Sequence, residues 1–280
     1  MNNMKKEARE LFEKLTNKKV RSISEFDSGY VNKNFLINDS YVLRIPLDFH
    51  DTTLSYKHEK IVFDKIADLK LSEIVIFFDE ESGVKLSKFV HATRFYIEKM
   101  DESQLLYVAK KLKKLHSSAI EVSFGYQILT KLELYKSAVD PKYHINPDYE
   151  NKVVKSMIAI YGKEPLVLCH NDLVKGNLLF KFNNVVLIDW QNASLNNPYF
   201  DLASLISENN LDEESKIFFL KKYFGYKFND LKLKRVEIFI DFQDIFFYYW
   251  SLFYFAKRND PKFLDIAKEK ELRISLNSSK

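Results

Sequence analysis

The amino-acid sequence predicts an α+β fold in two lobes, a small β-rich lobe over residues 1–99 and a larger, mainly α-helical lobe over residues 100–280. Two observations lead to this prediction. In the first lobe most apolar side chains fall in short runs bounded by turn residues, which is typical of strands. Beyond Met100 they recur with a period near that of an α-helix. The joint between the lobes is expected at residues 98–101.

The first lobe is expected to begin with a helix at residues 1–19. This segment is charged and has no continuous apolar core, so it lacks the pattern of a signal peptide. Short apolar runs and turn clusters then predict a hairpin, one helix and two more strands. These elements cover residues 35–37 and 41–45 with a turn at 38–40, then residues 55–66, 74–78 and 95–97.

The second lobe is expected to start with a helix on which Leu105, Ala109 and Leu112 share one face. A strand-rich island at residues 166–188 interrupts the helical pattern. The most hydrophobic stretch, residues 236–256, is broken by acidic residues, and its longest uncharged run is shorter than the roughly 20 residues that span a bilayer. We therefore predict a buried helix there and no membrane insertion.

Composition excludes several classes of protein. The chain has 280 residues, of which 46% are hydrophobic, so it is long and apolar enough to form a core and is not disordered. Its 43 basic and 39 acidic residues leave a net charge of +4, too small to indicate nucleic-acid binding. The single Cys169 excludes an internal disulfide and a cysteine zinc site, which favours a reducing, cytoplasmic location. The oligomeric state is left open.

The segment from Leu168 to Asp201 carries the most informative pattern. Two apolar runs flank Asn183 and Asn184, and asparagine tolerates the positive φ of a two-residue hairpin turn. That turn would pair Leu178 with Asp189 and Asn177 with Trp190. Asn177 and Asp189 would then meet at the open end of the hairpin, about 5–8 Å apart. One amide and one carboxylate oxygen suit Mg²⁺.

Asp172 lies five residues before Asn177, where its carboxylate can accept the proton of a substrate hydroxyl. His170 completes the pattern H-x-D-x-x-x-x-N, and Asp189 follows after the hairpin. This order is the arrangement of groups that transfers a phosphoryl group in kinases. Any one of these residues could instead be a turn or cap residue, but the four offsets together favour the catalytic interpretation.

This segment resembles the catalytic motif of the aminoglycoside phosphotransferase superfamily, and within it the choline/ethanolamine kinase family, including bacterial choline kinases. Its metal aspartate lies in Ile188-Asp189-Trp190 instead of D-F-G, and the continuation through Ala193, Asn196 and Asp201 matches the superfamily. The protein-kinase signal A-P-E is missing, which disfavours a protein kinase. The resemblance implies a two-lobed protein-kinase-like fold, with ATP and Mg²⁺ as cofactors.

The first lobe carries a further part of the resemblance. Residues 27–35 are similar to the family's hairpin over the nucleotide phosphates, with Gly29, Asn32 and Asn34 at matching positions and Ser28 in place of a glycine. Backbone N–H groups and amide side chains in such a hairpin can meet phosphate oxygens. An ordinary turn between two strands is the alternative interpretation.

Arg44 stands in the middle of an apolar strand, where a charge needs a partner. Glu59 on the following helix can supply it. Kinases hold the α- and β-phosphates with a basic residue on a strand that is paired with a carboxylate on a helix. A surface ion pair is the alternative. Position alone assigns Ile97 and Met100 to the hinge whose backbone would meet adenine.

The resemblance implies a small amino alcohol as acceptor, with choline favoured. A quaternary ammonium is recognised by aromatic faces and a nearby carboxylate. Trp250, Phe253 and Tyr254 on the late helix, together with Glu208, are the candidate substrate residues. Aromatic residues are abundant here, so ordinary core packing is the alternative for these rings.

Two other functions remain open from the sequence. The first is a kinase of the same fold that acts on ethanolamine, thiamine, an amino sugar or an aminoglycoside. The second is a catalytically inactive nucleotide-binding module, which the intact set of four motif residues disfavours.

Overall fold

The computed structural model describes residues 3–26, 32–47, 55–92 and 99–278. It divides into two compact units. The first comprises Met1–Glu98 together with Gly176–Ala193, and the second comprises Lys99–Lys175 together with Ser194–Lys280. Residues 176–193, which the sequence-based division placed with the helical part, thus belong to the first unit.

Short strands lie mainly in the first unit and helices mainly in the second. The strands, in chain order, are β1 (Ile23–Phe26), β2 (Asn32–Ile37), β3 (Tyr41–Pro46), β4 (Val75–Phe78), β5 (Lys85–Lys88), β6 (Val167–Cys169), β7 (Leu178–Lys181), β8 (Asn184–Leu187) and β9 (Ser194–Asn196). The helices are α1 (Asn3–Thr16), α2 (Tyr56–Ile66), α3 (Glu102–His116), α4 (Ile128–Ser137), α5 (Pro147–Tyr161), α6 (Pro198–Glu208), α7 (Glu213–Phe224), α8 (Asp230–Arg258) and α9 (Pro261–Ser278).

The first unit is built on an antiparallel sheet with the strand order β1-β2-β3-β5-β4. The predicted hairpin is confirmed as β2 and β3, whose register pairs Ile37 with Tyr41. One face of the sheet is apolar and packs with α1, where Phe12 is fully buried. Strand β5 was not predicted, and the predicted strand at residues 95–97 lies outside the described residues.

The opposite face of this sheet carries a row of polar side chains. The register places Asn34 beside Arg44 across β2 and β3, and Arg44 beside Lys85 across β3 and β5. Cross-strand partners share a face because side chains alternate along each strand. A row of three polar side chains therefore crosses the middle of the sheet.

Strands β7 and β8 form the predicted second hairpin, but in a different register. Leu178 pairs with Leu187, and Lys181 pairs with Asn184, so the turn residues are Phe182 and Asn183. Phe182 adopts the positive φ, at 48°. The predicted pairing of Leu178 with Asp189 and of Asn177 with Trp190 is therefore wrong.

The physical reason for this register is burial. It sets Leu178 against Leu187 and Phe180 against Val185, and all four side chains are buried. The predicted register would have placed an aspartate opposite one of these leucines. The hairpin attaches to its own unit through the Leu187 N–H, which donates to the Leu71 carbonyl at 2.9 Å.

The second unit is mainly helical, and α8 contacts α4, α5, α6 and α9. The predicted buried helix at residues 236–256 lies within α8, confirming that interpretation. Among the described helices, none combines the length and hydrophobicity that a bilayer-spanning segment requires. The small β6–β9 ladder supports the loop that carries the H-x-D motif.

Candidate active site

The loop that follows β6 is held by a single buried carboxylate. Asp201, near the start of α6, accepts the backbone N–H of His170 at 2.8 Å and that of Asn171 at 2.7 Å. His170 and Asn171 are both buried, and Asn171 has a left-handed backbone with φ of 65°. Two charge-assisted hydrogen bonds thus fix the loop directly before Asp172.

Residues after Asp172 are anchored as well. The Leu173 N–H donates to the Ser204 hydroxyl at 3.1 Å, and its carbonyl accepts from the Asn209 amide at 2.8 Å. Both partners lie on or just after α6. Asp172 itself is half-buried between these fixed neighbours. The backbone on both sides of the predicted proton acceptor is therefore fixed, while Asp172 itself is not fully buried.

Asp201 also accepts a hydrogen bond from His116, whose Nε2 lies 3.0 Å from Oδ2. Burial alone would raise the pKa of Asp201, but the hydrogen bond and charge of His116, together with the charge and backbone N–H of His170, outweigh it and hold that pKa below its usual range. The other ring nitrogen of His116 lies 2.7 Å from the Tyr223 hydroxyl. These contacts tie α3, α6 and α7 to the loop.

Cys169, His116 and Asp201 bring three atoms of metal-ligating type within 4.8 Å of one another. Burial raises the pKa of the Cys169 thiol well above its usual value, so it stays protonated. Since a thiolate is the form that binds metal, and since the other two residues are hydrogen-bonded to each other, this cluster has the chemistry of a hydrogen-bonded core.

In the first unit, Arg44 and Glu59 form the predicted ion pair. The guanidinium donates to the carboxylate from both terminal nitrogens, Nη1 at 2.7 Å and Nη2 at 2.8 Å, and both residues are buried. Nε and Nη2 also donate to the Gly83 carbonyl. Because both residues are buried, the alternative of a surface ion pair is excluded. Removing either partner would leave the other charge buried without compensation.

Lys85 is a second buried base beside Arg44, and the sequence interpretation missed it. Its ammonium lies 2.9 Å from Glu73 and 3.5 Å from Glu59. The signal that would have found it is a lysine between Val84 and Leu86, at the start of the segment that becomes β5. A central strand seldom contains a buried charge unless other charges surround it.

The two predicted metal ligands lie at the open end of the β7–β8 hairpin. The Ile188 N–H donates to the Asn177 carbonyl at 3.1 Å, which extends the ladder by one pair and leaves Asp189 as the next residue. Asp189 has a left-handed backbone, with φ of 63°. Such a conformation costs of order 1–3 kcal/mol outside glycine and is concentrated at functional sites.

The electrostatics of Asp189 favour a cation. Burial raises the pKa of its carboxyl, and the neighbouring Glu59 raises it further, while Arg44 and Lys85 act in the opposite direction. Helix α2, which carries Glu59, packs against the short 3₁₀ helix Trp190–Asn192 that follows Asp189. Asn177 is buried and Asp189 partly exposed. An all-oxygen set with excess negative charge fits Mg²⁺.

The remaining predicted nucleotide residues are placed unevenly. Asn32 is buried at the start of β2, and Asn34 lies two residues further along the same strand. Met100 is buried directly before the residue that caps α3. Gly29 and Ile97 lie outside the described residues. Their contact with a nucleotide stays a prediction.

Glu208, predicted to face the substrate, contacts a base from its own chain. The Lys270 ammonium on α9 lies 2.6 Å from the Glu208 carboxylate and 3.3 Å from that of Asp244. Lys270 is buried, and the sequence interpretation did not identify it. A lysine in the polar pattern of α9 gives no local signal of burial, because its partners lie far away in sequence.

Of the aromatic candidates, Trp250 is partly exposed and Phe253 and Tyr254 are buried. Trp250 packs edge-on against Phe263 at 5.5 Å and against Phe247 at 6.1 Å between ring centroids. Phe253 packs on Tyr135 at 5.0 Å. The geometry therefore adds the rings of Phe247 and Phe263 to two of the predicted residues, Trp250 and Tyr254, whose own ring centroids are 5.0 Å apart. The role of these rings toward a substrate stays a prediction.

Comparison with known proteins agrees with this arrangement. The profile of the phosphotransferase enzyme family (APH) matches residues 22–239. The chain is 28% identical over 236 residues to the protein LicA of Haemophilus influenzae, spanning 79% of this chain and 88% of that relative.

Two solved structures share the fold across nearly the whole chain. One is the choline kinase LicA from Streptococcus pneumoniae, with a TM-score of 0.79, 20% identity and coverage of 98% of this chain and 99% of that one. The other is LicA in complex with AMP, with a TM-score of 0.74, 20% identity and the same coverage. The protein-kinase-like fold predicted from the sequence is confirmed. The chain belongs to the phosphotransferase enzyme family and is a kinase that acts on an alcohol acceptor.

Proposed function

We propose that this enzyme transfers the γ-phosphate of ATP to the hydroxyl of choline and releases phosphocholine and ADP. One observation carries the proposal: Asp172 is half-buried on a loop whose neighbouring residues are fixed on both sides by α6. A base held this rigidly can receive a proton from a bound alcohol without first being reorganised.

ATP is supported by the AMP complex of a structural neighbour and by the buried bases of the first unit. Arg44, held by the Glu59 carboxylate, would steady the α- and β-phosphates. Asn177 and Asp189 would hold Mg²⁺ through their side-chain oxygens. When bound, Mg²⁺ supplies positive charge that offsets the charge on the phosphate oxygens.

Asp172 would orient the acceptor hydroxyl and accept its proton as the oxygen attacks the γ-phosphorus. The new O–P bond forms as the bond from phosphorus to the ADP oxygen breaks, so the phosphoryl group passes in line from one oxygen to the other. His170, fully buried and fixed through its backbone to Asp201, would hold the loop geometry.

Choline as the acceptor is supported by one comparison and by one feature of the second unit. A structural neighbour is a choline kinase. The ring of Trp250 packs against those of Phe247 and Phe263, and the ammonium that contacts Glu208 lies 5.9 Å from the Phe247 ring. The ring faces attract a quaternary ammonium, which donates no hydrogen bonds. We place the reaction in the cytoplasm, where ATP is available and the buried Cys169 stays reduced.

An ADP-release assay with Mg-ATP and choline, ethanolamine, thiamine or an aminoglycoside tests the proposal. We expect the highest kcat/KM with choline. A clear preference for another acceptor would contradict choline as the substrate but would still agree with a kinase. If no acceptor led to ADP release, an inactive nucleotide-binding module would be favoured.

The variant Asp172→Ala tests the assigned base. It should lower kcat by about 100-fold or more, the range for losing a positioned proton acceptor, while the Kd for ADP stays unchanged. The matched control is Asp265→Ala, which removes an exposed aspartate from α9. Near-normal turnover in Asp172→Ala would refute the assignment.

A further inference from the structure

Lys270 is a buried ammonium for which the proposed reaction has no evident use. It lies on α9 with only 1% of its surface exposed, and lysine is almost never buried so completely unless it is paired. Its partners are the carboxylates of Glu208, at 2.6 Å, and Asp244, at 3.3 Å. Lys270 therefore contacts the Glu208 carboxylate, which under the proposed function the acceptor's cation would approach.

A second base, Arg273, shares the carboxylates around Lys270. Asp244 also faces Arg273, whose guanidinium lies 3.6 Å from the same carboxylate oxygen and donates to the Ser207 hydroxyl at 2.6 Å. Arg273 also contacts the Glu269 carboxylate at 2.6 Å, so three carboxylates meet two bases among the described residues of this cluster. The side chain of Glu208 keeps 19% of its surface exposed, whereas that of Asp244 keeps 2%, so Glu208 is the member of the cluster that an acceptor can reach.

The Lys270 ammonium also lies 5.9 Å from the centroid of the Phe247 ring, within the range of a cation–π contact. Phe247 in turn packs against Trp250. An internal ammonium is therefore already stabilised by a carboxylate and an aromatic ring, the two kinds of group that recognise an alkylammonium ligand.

We propose that Lys270 is a positioning residue that makes the acceptor site select a quaternary over a primary ammonium; this rests on the proposed function. Lys270 engages one oxygen of Glu208. A primary ammonium has three N–H donors and is left with fewer acceptors, and an unmatched donor is costly once desolvated. A trimethylammonium group has no N–H to satisfy and needs only aromatic faces and diffuse negative charge.

The test is the ratio of kcat/KM for choline to kcat/KM for ethanolamine. Lys270→Met frees Glu208 to accept from ethanolamine, and we expect the ratio to fall by about tenfold, the equivalent of one unsatisfied donor. Lys268→Met, which removes an exposed lysine from the same helix, should leave the ratio unchanged. A purely structural role would lower both values together, so an unchanged ratio in folded Lys270→Met would overturn the proposal.

A second comparison keeps the proposal testable where Lys270→Met does not fold. Glu208→Gln and the double variant Glu208→Gln/Lys270→Met should give the same ratio, because Lys270 acts through the Glu208 carboxylate. A ratio that differs between them by about tenfold would overturn the proposal. A wild-type chain that phosphorylates neither alcohol would instead refute the proposed acceptor class, and with it this role of Lys270.

Discussion

Asp201 provides the sharpest test of how the loop that carries Asp172 is held. In Asp201→Asn one of the two side-chain oxygens becomes an NH₂ group. The favoured orientation keeps the oxygen at Oδ2, where it accepts from the His170 N–H and from His116. The NH₂ group then points at the Asn171 N–H, which donates at 2.7 Å in the wild type. Two donors face each other in a buried site.

The expected cost follows from these contacts. A hydrogen bond to a charged acceptor contributes about 1.5–3 kcal/mol, and a buried donor left unsatisfied costs about 1–3 kcal/mol. Since the two remaining bonds also lose their anionic acceptor, we expect the free energy of unfolding to fall by about 3–5 kcal/mol, as for a broken buried charge pair. Urea unfolding near pH 7 measures this loss.

The pH dependence of the free energy of unfolding is a second measurement on the same variant. Because the folded pKa of Asp201 lies below its ordinary value, its ionised form stabilises the protein fully at neutral pH. That contribution disappears as the pH falls through the folded pKa, so the difference between wild type and variant should shrink below about pH 4.

The control for this experiment is Asp265→Asn, an exposed aspartate on α9 whose loss should stay within about 0.5 kcal/mol. A loss below about 1 kcal/mol in Asp201→Asn would refute the idea that this carboxylate anchors the loop. So would a normal kcat in a variant that has lost the expected stability, because the loop positions Asp172.

Three further predictions concern buried charges and the acceptor. Glu59→Ala leaves Arg44 buried without its carboxylate and should cost about 3–5 kcal/mol in urea unfolding, whereas Asp64→Ala on the exposed side of the same helix should cost about 0.5 kcal/mol; equal losses would contradict the pairing. Lys85→Met should cost about 3 kcal/mol or more in the same assay, and a neutral result would show that this lysine is dispensable. Trp250→Ala should lower kcat/KM for choline about 30-fold more than for ethanolamine, since a desolvated cation–π contact contributes about 2 kcal/mol; parallel losses would assign Trp250 to the core alone.

The amino-acid sequence by itself determined the parts of this protein that depend on short-range order. Short apolar runs and turn residues predicted the β2–β3 hairpin, and a hydrophobic stretch interrupted by acidic residues predicted the buried helix within α8. The spacing of His170, Asp172 and Asn177 indicated phosphoryl transfer, because neighbouring positions in one loop and one hairpin remain close however the rest of the chain folds.

The Arg44–Glu59 pair belongs to the same class, although its residues are fifteen positions apart. A charge inside an apolar strand requires a partner, and the next helix offered a carboxylate at the right place. The kind of interaction was therefore readable from the sequence, while its complete burial was not.

Tertiary structure alone decided three other features. The register of β7 and β8 was settled by which leucines could be buried together, not by the preference of asparagine for a turn. The anchoring of the catalytic loop by Asp201 joins residues thirty positions apart. Lys270 contacts Glu208, which lies 62 positions away in the sequence. In each case the partner is chosen by packing between distant segments, and local residue patterns carry no information about that choice.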